Sequence, residues 1–335
     1  MHNRPATETY FLVAGRNILI QAFDEWSMQA VLQTFAGWFI TLASEQPTTA
    51  PDAILRIHCG VSPPTVPSGL DSFPIVHSGQ CYTDSETYYL EFERSLIVFG
   101  PGSANAVDLW VDVPLDLSSR VTGQLLSNAL APALRRCGLF EIHSAGVIAP
   151  GANEVILIGG PSGSGKSTLT THLASCNWGY LSDDVLLLQS FDNEIQVGPL
   201  RRFFALTPDT IAAAQLNPKL ADPNQQKGRI TPQEVFNREP VAGGVPGIII
   251  FPGIVDSDRS RLIPLTTADS MTRLLRLCPW AAYDKPTSAR HIELLGRLAK
   301  CTSAFDLFAG KDILTKRERA AELIGQVATK RARAQ

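Results

Sequence analysis

No pair of cysteines in this sequence stands at CxxC or CxxH spacing. The six that occur (Cys59, Cys81, Cys137, Cys176, Cys278 and Cys301) are scattered along 335 residues. Scattered thiols in a chain of this length read as small buried hydrophobes, not as a zinc or disulfide framework, and they point to a reducing compartment. A surplus of either charge is missing too. The formal net charge is −3, so no global field draws the chain to nucleic acid or to anionic lipid. The N-terminal stretch, residues 1–9, lacks the charged-then-apolar layout of a signal peptide. The most apolar long stretch, residues 26–43, carries Ser27, Gln29, Gln33 and Thr34 and is barely long enough to span a bilayer. It reads as an amphipathic helix over 26–44, packed on a sheet. These absences leave a soluble cytoplasmic protein as the expectation, with neither nucleic acid nor membrane as partner.

What is present is globular: 44% of residues are hydrophobic and 18% charged, and the length suits two domains. The first part reads as β-rich. Apolar runs at 9–14 and 18–22 flank Gly15-Arg16-Asn17, a hairpin signal. Further strands are predicted at 53–58, 88–92, 96–99 and 107–113, and the Pro-, Ser- and Gly-rich segment 58–74 is predicted as loop. Val121, Leu125, Leu126, Ala129, Leu130 and Leu134 recur at helical spacing within 117–137. Ser118 or Ser119 is placed to cap that helix, and Pro132 predicts a kink or break inside it. From residue 140 the texture changes to alternating strands and helices. Strands are predicted at 140–148, 154–158, 180–188 and 247–251. Helices are predicted at 166–174, 268–277 and 290–301, with a charged terminal helix from Lys311. The expected architecture is α/β: a mixed-sheet domain over 139–335, preceded by a smaller β-rich α+β domain over 1–138 that recognises substrate or partner.

The strongest motif is Gly160-Pro161-Ser162-Gly163-Ser164-Gly165-Lys166-Ser167, which satisfies G-x-x-x-x-G-K-[ST]. Small residues let consecutive backbone N–H groups turn inward around an anion. The helix that follows, opening with Lys166, Ser167 and Thr168, offers unpaired N–H groups and its dipole to phosphates. Lys166 brings a flexible ammonium to the β/γ oxygens, and the Ser167 hydroxyl suits Mg²⁺. An apolar strand leads in and a helix leads out, as the motif requires. The implied ligand is ATP with Mg²⁺.

A second signal is Asp183-Asp184, placed within or at the edge of a strand. Adjacent strand residues point to opposite faces, so one carboxylate suits the metal and the other suits a proton from an attacking hydroxyl. Asp183 follows Ser167 by only 16 residues (183 − 167), so one helix and one return strand connect them. This short spacing resembles the HPr kinase/phosphorylase family and its relatives among the phosphoenolpyruvate carboxykinases. The likeness covers residues 143–188, where His143-Ser144-Ala145-Gly146-Val147 occupies the strand before the loop. The resemblance implies Asp183 as proton acceptor, Asp184 as metal-side carboxylate and His143 beside the phosphates. It also implies an assembly of copies. The chain departs from that family at Thr168, where the family has Glu, and at Glu194-Ile195-Gln196-Val197, where its Glu-Ile-Arg-Gly signature would fall.

Downstream, Arg201-Arg202 and Lys227-Gly228-Arg229 are candidates to neutralise phosphate charge, with Arg229 the catalytic candidate. The basic run 330–333 reads as a solvated helix end. The function these features imply is ATP-dependent transfer of a phosphoryl group to a hydroxyl, seryl on a peptide or small protein or borne by a metabolite. The alternative is a non-catalytic ATP-binding switch that engages a protein partner. A carboxykinase is a third reading, but no second metal-binding His/Lys set accompanies the loop.

Overall fold

Val13 and Arg16 face each other across a two-residue turn in which Ala14 and Gly15 both take positive φ, 45° and 82°. Such a turn matches the twist of the strands it joins. Those strands are β1 (Thr7–Val13) and β2 (Arg16–Ala22) of a computed structural model that describes residues 7–45, 47–75, 79–100, 105–116, 120–221 and 227–332. The Asp24 carboxylate accepts from the Ser27 N–H at 2.8 Å and caps α1 (Glu25–Ala36). The helix ends well before residue 44. Gly37 closes it, and the β-forming residues that follow supply β3 (Ile40–Leu42), which pairs with β1.

β4 (Ala53–Cys59), β5 (Asp71–Ile75), β6 (Gly79–Thr83), β7 (Tyr88–Phe92), β8 (Ser95–Phe99) and β9 (Ala106–Val111) complete a nine-stranded sheet in the order β3-β1-β2-β4-β9-β8-β7-β6-β5. β2, β4 and β9 run parallel and the remaining pairs are antiparallel. β5 occupies part of the segment expected to be loop, because the antiparallel edge of β6 pairs with it despite Pro74. α2 (Arg120–Arg136) packs on β4 and β9. It runs unbroken past Pro132, because Leu126, Ala129, Leu130, Ala133 and Leu134 are all buried around it. Burying several such side chains outweighs the ~3 kcal/mol cost of a helical proline. The expected caps Ser118 and Ser119 lie outside the described residues.

The remaining chain forms three sheets. β10 (Phe140–Ile142), β11 (Ser144–Ile148), β12 (Glu154–Gly159), α3 (Lys166–Ser175), β13 (Gly179–Ser182), β14 (Leu186–Phe191) and β15 (Glu194–Pro199) come first. β16 (Phe204–Leu206), α4 (Pro208–Ala213), β17 (Gly228–Ile230) and α5 (Pro232–Phe236) follow. β18 (Val245–Ile254), β19 (Arg261–Pro264), α6 (Thr267–Leu277), α7 (Trp280–Tyr283), α8 (Lys285–Cys301), β20 (Ser303–Ala309), α9 (Lys311–Thr315) and α10 (Arg317–Ala332) finish it. The six-stranded sheet has the order β13-β11-β12-β18-β20-β19, with β12, β18 and β20 parallel at its centre. Its central strands are apolar on both faces, Val155–Ile158 and Ile248–Ile250, because helices cover both sides. α3 and α10 pack on one face through Leu169, Leu173, Ala320 and Ile324. α6 and α8 pack on the other through Leu274, Leu294, Leu295 and Leu298. Smaller sheets, β10-β14-β15 and β16-β17, lie beyond it.

The chain divides into two compact units, Met1–Leu139 with Tyr283–Ala289, and Phe140–Ala282 with Arg290–Gln335. In the first unit Asp284 is fully buried and accepts from Arg135 at 2.7 Å and from Arg136 at 3.1 Å, which ties the returning segment down. No helix among the described residues is long and apolar enough to cross a membrane.

Candidate active site

The loop Gly160–Gly165 leaves the C-terminal end of β12 and enters α3. Gly163 and Gly165 stand at φ 82° and 95°, a left-handed backbone that a side chain disfavours. Gly165 is the N-cap and no side chain caps the helix, so the first turn, Lys166, Ser167 and Thr168, keeps its N–H groups for another acceptor. The Ser164 Oγ is buried without a hydrogen-bond partner. The Lys166 ammonium donates to the carbonyls of Gly160 at 2.7 Å and Pro161 at 3.1 Å. Burial pulls its pKa down, the Asp184 charge opposes that, Lys227 reinforces it and Asp183 opposes it again. The Thr168 hydroxyl is instead engaged with Thr210 at 3.0 Å, at the start of α4.

The acidic pair lies in a bend, not in a strand. β13 ends at Ser182 and β14 starts at Leu186, and the two belong to different sheets. The neighbouring pair β10 and β11 breaks at the same level, at His143, and switches between the same two sheets. The continuous strands expected over 140–148 and 180–188 are therefore each divided at a corner. The corner is cross-linked by its own polar residues: His143 Nε2 donates to Asp184 Oδ1 at 2.9 Å, and Arg201 donates to Asp184 Oδ2 at 3.2 Å.

The two carboxyls have opposite electrostatics. Asp183 is 2% exposed and accepts from the Ala205 N–H at 3.1 Å. Burial pushes its pKa up to about 6 and the Asp184 charge adds to that, while the Ala205 amide, a hydrogen bond with Ser167 and the Lys227 charge restrain it. For Asp184 burial also works upward, but the hydrogen bond and charge of His143, then Arg201 and Lys166, hold it down at about 2. One acid thus titrates close to neutrality and the other stays ionised. The Ser167 hydroxyl lies on Asp183 and not on Asp184.

No family model matches this sequence, and no curated protein matches it. A solved structure is similar at low level. It is the Hpr(Ser) kinase/phosphatase from Coxiella burnetii, at 13% sequence identity over 57% of this chain and 97% of that chain, with a TM-score of 0.32.

The structure brings Lys166, Ser167, Asp183, Asp184 and His143 into one network of hydrogen bonds and charges. Arg229 is placed differently. It is exposed on β17, opposite Ala205, and its guanidinium lies 4.5 Å from the centre of the Phe203 ring. Arg201 is bound to Asp184, a partnership with no local signature because the β14–β15 hairpin brings it back. The sequence reading also passed over a cavity of about 410 Å³ beside the start of the loop, lined by Gly160, Pro161, Phe251, Arg276, Leu277 and Phe308 among others. Its residues come from distant parts of the chain and carry no motif.

Proposed function

We propose that this protein is an ATP-dependent phosphotransferase acting on a hydroxyl group. The observation that carries this reading is the pairing of an uncapped glycine-rich loop and its buried lysine with a buried acid near pKa 6. A base poised near the working pH combines the right protonation state with useful driving force, which Asp183 supplies and the ionised Asp184 does not. The acceptor oxygen attacks the terminal phosphorus of ATP while its proton passes to Asp183. The bond from that phosphorus to the β,γ-bridging oxygen breaks, and its electron pair leaves on ADP. Lys166 neutralises charge on the transferring group, and His143 with Arg201 holds Asp184 in place.

Among the described residues no three His, Cys, Asp or Glu side chains gather into a metal cage. The donors at hand, the Ser167 hydroxyl and the Asp184 carboxylate, suit Mg²⁺, which takes one or two protein oxygens and completes its shell with phosphate oxygens and water. Held by Ser167 and Asp184, the ion would supply positive charge against the phosphates. The first unit is proposed to recognise a partner.

Calorimetric titration with ATP and Mg²⁺ tests the binding half of this reading. Lys166→Ala should weaken binding by about tenfold or more, since it removes a charge-assisted contact from a cradle that otherwise stays intact. Equal affinity in the two proteins would remove the loop from the account.

A further inference from the structure

A cavity opens beside the first residues of the glycine-rich loop. Its walls come from the C-terminal ends of three parallel strands: Gly159–Pro161 at the end of β12, Phe251–Val255 at the end of β18, and Asp306–Phe308 on β20. Open α/β sheets bind ligands in the crevice outside such strand ends. A volume of about 410 Å³ suits a small molecule and excludes a folded domain. Phe251, Leu277 and Phe308 make one side apolar.

The charges that line it do not cancel. Arg273 is fully engaged by Asp306, with Nε donating to Oδ1 at 2.8 Å and a second nitrogen to Oδ2. Arg276, three residues further along α6, forms no ion pair among the described residues and stands exposed at the rim. One guanidinium is thus left over, a fork shaped for a carboxylate. The cavity also touches the transfer machinery, because two of its lining residues, Gly160 and Pro161, carry the carbonyls that hold the Lys166 ammonium.

We infer that this cavity is the acceptor pocket and that it takes a small hydroxy acid. The carboxylate pairs with Arg276, the carbon skeleton lies on Phe251, Leu277 and Phe308, and the hydroxyl is presented to the phosphoryl group held at Lys166. The inference rests on the phosphotransferase reading above. The step adds one O–P bond to the acceptor, breaks the β,γ bond of ATP and delivers the hydroxyl proton to Asp183, so that ADP and a phosphorylated acid are the products.

The test uses the full chain with ATP and Mg²⁺, measuring ADP release and ATP affinity. The probes are glycerate, lactate, malate and serine, each beside its primary amide. At least one acid should stimulate ADP release, and its amide should be weaker by about tenfold or more. Arg276→Ala should raise KM for that acid by about tenfold, leave kcat within about threefold and leave ATP affinity unchanged. Because Arg276 is exposed, unchanged ATP affinity also reports an intact fold. Loss of ATP affinity in Arg276→Ala would make the cavity a nucleoside site and overturn the inference. So would acids and amides acting alike, or label passing from ATP only to macromolecules of a cell extract while every acid is inert. In that last case the phosphotransferase reading stands. If ATP binds and nothing is phosphorylated at all, both readings fall together.

Discussion

Asp183 and Asp184 are neighbours in sequence with opposite effects on stability. Asp183 has its pKa raised from 3.8 to about 6, so its favourable contribution is fully present below about pH 3.8 and is lost as pH rises through 6. At neutral pH the ionised, buried carboxylate is a cost. Asp183→Asn keeps an oxygen for the Ala205 amide and removes the charge, so it should raise the melting temperature at pH 7 by about 3–8 °C. The gain should shrink to nothing below about pH 4. Asp184 behaves in the reverse sense. Its pKa is lowered from 3.8 to about 2, so its contribution is present above 3.8 and fades as pH falls toward 2. Asp184→Asn should therefore lower the melting temperature at pH 7. Thermal scans of both variants between pH 3 and pH 8 check the pair. The same sign for both would mean that burial and pairing have been assigned to the wrong carboxyls. His143 acts through Asp184, so His143→Ala should slow turnover by about 10–100-fold with ATP affinity preserved. Turnover and calorimetric affinity measured side by side separate that from a simple binding defect.

At the scale of elements, the entrance to α3 depends on backbone conformation more than on space. A methyl group on Gly165 would meet Ile254 and Leu314 at 3.7–3.9 Å, ordinary contact, but the residue stands at φ 95°. Gly165→Ala should thus cost about 1–2 kcal/mol, read as a melting point lower by about 2–8 °C, and should weaken ATP binding through the misaligned first turn. β12, the loop and α3 were legible because each step is local: an apolar run, glycines, then a helix. The corner at His143 and Asp183 was not. Leu181 and Leu186–Leu188 continue the apolar pattern on both sides of it, and the switch between sheets is decided by pairing with distant strands. The same limit explains α1, whose apolar periodicity runs on past Gly37 into residues that pair with β1. Arg201 illustrates it for a single contact, since a guanidinium 17 residues from its carboxylate is brought home only by a hairpin.

At the scale of the whole molecule, the first unit closes only when Tyr283–Ala289 joins it. The buried Asp284 between Arg135 and Arg136 is the anchor of that return, and the Tyr88 hydroxyl adds a bond to the Tyr283 carbonyl at 2.8 Å. Removing one partner of a buried pair leaves the other charge uncompensated. Asp284→Ala should therefore destabilise by about 3–5 kcal/mol in denaturant titration, and a loss below about 1 kcal/mol would dismiss the anchor. Nothing in the sequence marked this return, because its partners are some 150 residues away and carry no spacing.

The claim that the loop and the acidic corner form one transfer site is tested most directly by following the labelled γ-phosphoryl of ATP. Wild-type protein and Asp183→Asn are incubated in parallel with hydroxy acids and with fractionated extract, and ATP affinity is measured on the same samples. The account predicts a labelled acceptor with the wild type, unchanged ATP affinity in the variant and transfer slower by about 100-fold or more. Equal transfer by the two proteins, or ATP-dependent partner binding with no transfer by either, would contradict it.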